Sequence, residues 1–496
     1  MGSYHSSPSP RFADLQNVGA LETFLARKRA PAETFEQYER ELGTLMRRVE
    51  CELKAAELAR YDVDAEVVVV DGREYRRCLS QEPKEYATAS GPVTVPRNLF
   101  RAAGGKAICP LELRAGIIGA CTSMLARQVS FLMGHLTSAE SAAVFGEMGL
   151  AGPSASTCDR VPKLLNPVWE QHREQWEAAL RAQEEVPAEA TVLAVSLDGV
   201  LVPDRTAQRA AKAVREEAAR QGLRLQASGP AGYREVGCGT VTLFAPPDKP
   251  RSKDFEDRRP LRLDTVRYAR APEYKKKTLT AQLDAEVDAI LAARPDLKLV
   301  ALADGADENW RYFGGAKWDA ATKIVDHGHA SQHLKAALVA NYGDTVDGRA
   351  EYERLRLILR DKDGGADDVM AALDRLDRKL GREQRPHRRK LLAKERQYFR
   401  NQRERMDYAR YQRLGLPIGS GVVEAACKTL AAQRLKRSGM NWDDGKQPIL
   451  TIRSLQQSDR WDRGWALLAG AFRREVAATV TKHGDLRCIK SLQRAA

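Results

Sequence analysis

Two apolar runs, each carrying an aspartate followed by glycine, constrain this chain more than any other feature. Residues 192–202 read VLAVSLDGVLV and residues 297–304 read LKLVALAD, which places Asp198-Gly199 within one run and Asp304-Gly305 at the end of the other. Apolar stretches of this length bounded by turn residues are strands. Between them the pattern predicts a charged helix over 207–221, strands over 235–244 and 261–268, and a helix over 278–293. After Asp304 come a short strand, 322–325, and a helix from His329. Strands alternating with helices give this segment α/β character. Asp-Gly after a strand is also ordinary turn chemistry, so each pair alone leaves its role open.

The succession of strand, hairpin strand, third strand, helix, fourth strand, fifth strand and helix is the order of an RNase H-like core. In that core the first and fourth strands are neighbours, and Asp198 and Asp304 fall on them. Two adjacent carboxylates repel, and a shared cation is the usual reason to keep both ionised. A third carboxylate, Glu424, stands in the stretch 416–442, LPIGSGVVEAACKTLAAQRLKRSGMNW, where a Gly-Ser-Gly turn opens a helix. The thirteen residues after Glu424 hold Lys428, Arg434, Lys436 and Arg437 and no acid. Glu424 can instead serve as a helix-start charge paired with Lys428. With Ser420 as N-cap, however, it sits one position beyond the capping-box site. Three such carboxylates suit a two-metal site for in-line phosphodiester displacement, in which one ion sharpens the nucleophile and the other steadies the leaving oxygen.

A chain of 496 residues exceeds one compact core and predicts two to four domains. Its longest apolar runs, such as 67–70 and 192–195, are far short of a membrane helix, and no signal segment opens it. The eight cysteines include no C-x-x-C pair, which argues against a zinc ribbon or a disulfide framework and for reduced thiols in the cytoplasm. Eighty Lys and Arg against 67 Asp and Glu give a formal charge of +13, which favours a polyanionic partner. From 382 to 413 twelve basic residues face four acids, with Tyr398, Phe399, Tyr408 and Tyr411 interleaved. Such a surplus predicts a phosphate-facing surface that includes Arg396, Arg400 and Arg403.

Upstream, three- and four-residue spacings predict helix over 20–60. Hairpin strands follow at 66–70 and 74–79 around Asp71-Gly72, then a strand pair through 85–100 and a long helix over 110–134. Short helices at 138–147 and 154–165, separated by a glycine-bearing turn, fit a helix-turn-helix. Its second helix would offer Ser154, Ser156, Thr157 and Arg160 to a major groove; two short helices around a glycine also pack for structural reasons alone. A further helix, 166–185, leads into a Glu-Glu-Val-Pro-Ala linker.

The motifs Asp198-Gly-Val, Tyr233-Arg-Glu-Val-Gly, Asp304-Gly-Ala and Asp326-x-x-His329 carry a resemblance together with the Leu416 to Thr429 and Arg434 to Trp442 segments. The chain resembles the DDE transposases of bacterial insertion sequences of the ISKra type, relatives of the Mutator-like enzymes, from about residue 20 to about residue 470. The resemblance implies Asp198, Asp304 and Glu424 as catalytic metal ligands for Mg²⁺, with Mn²⁺ able to substitute. It sets Asp326 and His329 beside that site and makes 345–413 an all-α insertion in the catalytic core. The expected fold is multidomain α+β and α/β: a disordered leader (1–20), a helix and β-hairpin domain (21–109) and a helical DNA-end-binding domain (110–186). An RNase H-like mixed-sheet core (187–344 and 414–470), interrupted by the insertion (345–413), and a tail (471–496) complete it. The implied partner is double-stranded DNA, both element ends and target, bound by a homo-oligomer that is at least dimeric in the synaptic complex. The implied place is the bacterial cytoplasm, at the nucleoid. Lys428, Arg434, Lys436 and Arg437 join the arginines of 382–413 as expected DNA contacts. Two other readings stand beside this one. One is a transposase-derived DNA-binding protein without catalysis. The other is a zinc hydrolase using His329 and His333 with Asp326 or His327, although His-Ala-Ser-Gln-His lacks the glutamate of H-E-x-x-H.

Overall fold

The computed structural model describes residues 15–221, 232–249, 252, 254–383, 385–438, 440–443, 445–482 and 485–488. Most of the expected leader and residues 222–230 of the charged insertion lie outside them. The described residues form a mixed α/β protein with two sheets, divided into two compact units: Met1–Trp176 with Trp461–Ala496, and Glu177–Arg460. No helix among the described residues is long and apolar enough to cross a membrane.

The first unit opens with helices α1 (Gln16–Ala26) and α2 (Phe35–Ala59) where a single helix was expected over 20–60. Pro31 interrupts the ladder, and Thr34 restarts it with a capping box: its hydroxyl accepts from Gln37 N and its own N–H donates to the Gln37 side chain. Strands β1 (Val67–Val70), β2 (Arg73–Thr88), β3 (Gly91–Arg101) and β4 (Ala107–Ile108) follow. The β1–β2 turn is the expected Asp71-Gly72, both at positive φ. The long helix expected over 110–134 is two, α3 (Pro110–Ala115) and α4 (Ser123–His135), because Gly116 takes the left-handed C-cap conformation that ends the first. Helix α5 (Ser138–Glu147) has the expected bounds. The next helix, α6 (Ala155–Arg181), is 27 residues long and unites the two expected at 154–165 and 166–185, running on through Pro162 and Pro167. The second element of the helix-turn-helix pattern is thus the start of a long helix rather than a short recognition helix. From the far end of the chain α18 (Trp461–Ala471) joins this unit, as do β10 (Ala477–Lys482) and β11 (Asp485–Cys488). Strand β10 pairs antiparallel with β1, Val68 opposite Ala478. Part of the stretch assigned to the core over 414–470, and the tail, therefore belong to the first unit.

The second unit is built on β5 (Val192–Pro203), β6 (Tyr233–Ala245), β7 (Leu261–Arg270), β8 (Lys298–Ala303) and β9 (Thr322–Val325), ordered β7-β6-β5-β8-β9. Strands β5, β8 and β9 run parallel, and β6 and β7 are antiparallel to their neighbours. Helix α7 (Arg205–Arg220) follows β5, α8 (Lys277–Ala293) precedes β8, and α9 (Asp307–Tyr312) follows it. On α8, Leu279, Leu283 and Val287 recur every four residues and are wholly buried with Val195, Val300 and Ile324 of the sheet. Each such side chain contributes on the order of 1.5–3 kcal/mol by leaving water. Helices α10 (His327–Tyr342), α11 (Val346–Asp361), α12 (Gly365–Arg382), α13 (Pro386–Gln402) and α14 (Tyr408–Arg413) form the helical stretch between β9 and α15 (Gly421–Ala426). A π-helical turn, Cys427–Ala432, joins α15 to α16 (Gln433–Leu435), and α17 (Lys446–Gln457) covers the β7 edge.

That edge is sealed by side chains rather than by another strand. Gln447, Ser454 and Ser458 recur on one side of α17, and their oxygens accept from the N–H groups of Ala271, Ala269 and Arg267 at 2.8, 3.2 and 2.9 Å. The free row of donors that makes an edge strand a template for aggregation is thereby consumed. Ser454→Ala should cost roughly 1–3 kcal/mol of local protection. The readout is amide hydrogen exchange: Ala269 should exchange tenfold or more faster, at about 1.4 kcal/mol per decade, and unchanged exchange would refute the role.

Candidate active site

The parallel register of β5 and β8 pairs Leu197 with Ala303, so the next residue on each chain is the aspartate. Asp198 lies within β5, opposite Cys238 of β6, and Asp304 sits just past β8. Both are half-buried. Asp304 Oδ1 accepts from Ala306 N (3.0 Å) and Asn309 Nδ2 (2.8 Å), and the same amide donates to Leu197 O (3.2 Å), which ties the loop to β5. Asp198 Oδ1 accepts from Gly199 N at 2.7 Å, and the Cys427 thiol donates to its Oδ2 at 3.5 Å. Burial, aided by the Asp304 charge, pushes Asp198 above the ordinary carboxylate range. The two glycines are fixed by close approach rather than by turns. A Cβ at Gly199 would overlap the Glu235 carboxylate, and one at Gly305 would overlap the Tyr398 ring.

Glu424 reaches the same region from α15. Ser420 occupies the N-cap position but makes no side-chain cap; its hydroxyl instead donates to Glu424 Oε1 at 3.3 Å. The ion-pair partner of Glu424 is His329, whose Nε2 lies 3.6 Å from Oε1. Glu424 lies in the first turn of α15, but no Glu424–Lys428 pair forms among the described residues. Immediately beyond, the π-helical turn brings Cys427 to Asp198. Single turns of this kind recur at functional sites, and no sequence signal announced it.

Asp326 holds the arrangement together. It is buried and caps α10, accepting from His329 N at 2.6 Å through Oδ1, while Oδ2 accepts from Ser420 N. One carboxylate thus fixes both the first turn of α10, which carries His329, and the start of the Glu424 helix. Ligand atoms of Asp326, His329 and Glu424 lie within 4.8 Å of one another. The trio drawn together most tightly is therefore not the expected Asp198, Asp304 and Glu424 but one that shares Glu424 with it. His333, the partner of His329 in the zinc reading, faces elsewhere: Nδ1 is 2.6 Å from Glu395 Oε2, and the ring stacks on Tyr398 at 3.6 Å. His327 is half-buried, with a buried and unpartnered Nε2, and desolvation pushes its pKa down to about 4.

No protein-family model matches this chain, and no curated protein matches it in sequence. Among solved structures it is similar to the Drosophila P element transposase strand transfer complex. That likeness covers 71% of this chain and 81% of that one, at 11% identity and a TM-score of 0.24. A likeness of that size fixes neither fold nor activity.

The expected DNA contacts fare unevenly. Arg396 is paired with Asp374 and Asp377, Arg400 lies 3.5 Å from Asp374, and Arg403 holds Asp367 through both Nε (2.5 Å) and Nη2 (3.0 Å). Arg389 and Arg413 likewise meet Asp377 and Asp363. The acidic side of α12 and the turn before it therefore neutralise much of the basic run. A count begun at residue 382 leaves those acids out, because they lie on the preceding helix. Arg434 is buried, with its guanidinium 5.1 Å from the centre of the Trp442 ring, and is part of the fold. Lys428 and Lys436 are exposed and Arg437 half-buried. In the first unit Ser154 Oγ accepts from Thr157 N (3.3 Å) and touches Ser156 Oγ and Thr157 Oγ1 (2.9 and 3.1 Å), while Arg160 bonds Thr157 (3.3 Å). Those hydroxyls cap α6 on an exposed surface.

Two outcomes are expected. Replacing Arg396, Arg400 and Arg403 together by Gln should change the log-log salt slope of duplex binding by less than about one unit, because their charges are already matched; a change of two or three units in a filter-binding titration would show that DNA displaces the acids. Asp304→Asn should raise the metal-free melting temperature by relieving repulsion at Asp198, and Mg²⁺ should raise that of the unaltered protein more than that of the variant. Equal Mg²⁺ shifts would mean that Asp304 holds no ion.

Proposed function

We propose that this chain is a DNA transposase that cuts and rejoins phosphodiester bonds with Asp198, Asp304 and Glu424. The observation that carries the reading is the β5–β8 register, which sets two half-buried aspartates side by side at adjacent positions of parallel strands. A glutamate on the helix tethered by Asp326 and Cys427 joins them. The order β7-β6-β5-β8-β9, with β5, β8 and β9 parallel, supports reading this sheet as an RNase H-like core. The three groups are hard oxygen donors of the kind Mg²⁺ takes, on side chains that retain access to solvent. Bound there, such ions would supply Lewis-acid activation of the nucleophile and of the leaving oxygen.

The residues of the chain do the rest. Asn309 and the Ala306 N–H fix one oxygen of Asp304 and leave the other free. On Asp198 both oxygens are held, Oδ1 by Gly199 N and Oδ2 by the Cys427 thiol, and each keeps a lone pair. The thiol stays protonated, since its contact with Cys238 and burial both raise its pKa, so it donates rather than competes as an anion. Exposed Lys428 and Lys436, on the segment that carries Glu424, are placed to meet phosphates. Site-specific reading of element ends falls to the first unit, through Ser154, Ser156, Thr157 and Arg160 at the start of α6, and a dimer or larger assembly would bring two ends together. The zinc-hydrolase alternative loses its ligand pair, because His333 is committed to Glu395 and Tyr398.

The test is a cleavage and strand-transfer assay on duplexes spanning the flanks of the chain's own coding element, with Mg²⁺. Asp198→Asn, Asp304→Asn and Glu424→Gln should each lower the rate by about a thousandfold, equivalent to several kcal/mol of lost charge stabilisation, with duplex affinity retained. Near-normal transfer by any one variant would remove that residue from the site, and no transfer by the unaltered protein on any flank would refute the reading.

A further inference from the structure

We propose that Asp326, His329 and Glu424 form a cation site of mixed imidazole and carboxylate character that selects Mn²⁺ or Zn²⁺ over Mg²⁺. It deepens the reading above, on which it rests only through the shared Glu424.

The argument starts from position. Asp326 ends β9 and caps α10, His329 is one helical turn further on, and Glu424 comes from α15, nearly a hundred residues away in sequence. Ligand atoms from all three nevertheless lie within 4.8 Å of one another. A surface ion pair does not account for this. Glu424 and His329 approach only to 3.6 Å, with side-chain exposures of 49% and 30%, and an exposed pair of that kind contributes at most about 1 kcal/mol. Capping does not account for it either. A neutral Ser or Asn caps α10 as well as Asp326 does, whereas the carboxylate places a buried negative charge close to a second acid, Glu424.

Pre-organisation is the second element. Both oxygens of Asp326 accept main-chain N–H bonds, from His329 and Ser420. These fix the group while leaving a lone pair on each oxygen. The Ser420 hydroxyl does the same for one oxygen of Glu424. The site thus offers oxygen from two carboxylates and nitrogen from one imidazole.

The donor set decides which ion. Mg²⁺ takes oxygen almost exclusively, whereas imidazole nitrogen is a good ligand for Mn²⁺ and a better one for Zn²⁺. Asp198 and Asp304, which provide oxygen alone, form the complementary site. The two halves of the catalytic centre then differ in chemistry, with Glu424 as their common edge.

The experiment uses the full chain without DNA, loaded with Mn²⁺ and read by pulsed electron paramagnetic resonance for coupling to nitrogen. The unaltered protein should show an imidazole nitrogen coupling that an excess of Mg²⁺ does not erase. His329→Gln should abolish it and weaken Mn²⁺ binding on the order of tenfold or more. Asp198→Asn should keep it, and so should His333→Gln. Coupling that is absent from the unaltered protein, or that survives His329→Gln, overturns the proposal. Should His329→Gln melt early, Glu424→Gln at its more exposed position must weaken the same signal, and an undiminished signal there also overturns it. Nitrogen coupling without strand transfer would leave this site standing and refute the transposase reading; strand transfer without the coupling would do the reverse.

Discussion

The pairing of β5 with β8 is the constraint on which the rest of the second unit depends. Both strands are apolar enough to be buried on both faces, which parallel strands covered by helices require. A one-residue slip would exchange the two faces of a strand and mismatch both packed layers, so the packing of Leu193 and Val195 on one face and of Val300 and Leu302 on the other fixes the register and with it the adjacency of Asp198 and Asp304. The hydrophobic core thus sets the geometry of a polar site it does not touch. Like charges held in a half-buried place are unfavourable, and the fold tolerates them because each carboxylate is restrained by donors on neighbouring elements.

Much of this was legible in the sequence. The strand runs, the Asp71-Gly72 turn, α5 to the residue and the placing of Asp198 and Asp304 on neighbouring strands follow from period and turn chemistry. What failed did so for local reasons. Pro31 and Gly116 each broke a helix that hydrophobic spacing alone had extended, although both residues are the ordinary signals for a break. In the reverse direction, Pro162 and Pro167 did not break α6. Its apolar face, with Val161, Leu165, Trp169 and Trp176 buried, outweighs the missing donors.

Charge was the harder matter. The basic run read as a phosphate surface because charges were counted along the chain, and the neutralising acids of α12 lie across a helix–helix contact. Nothing in the spacing of Arg396 or Arg403 indicates Asp374 or Asp367 as partners. The clasp at Asp326 was similarly hidden. The residue was noticed for its spacing to His329, but its bond to Ser420 spans ninety-four positions and exists only in three dimensions.

That clasp has a consequence for how such a chain can vary. Just beside it, the His327 N–H donates to Ile418 O at 2.9 Å, so the helical excursion that begins at α10 starts and finishes at one fastened point. To the sheet of the second unit the intervening helices form a closed loop, and the entropy of closing a loop grows only with the logarithm of its length, by roughly 0.6 kcal/mol per doubling. Helices can be added or exchanged at the far end of this excursion with little strain on the carboxylates. The exceptions are α13, because Tyr398 lies against Gly305, and α14, because the buried Tyr408 hydroxyl donates to Val325 O beside Asp326. Lengthening the chain along those two helices is what would first disturb the carboxylates.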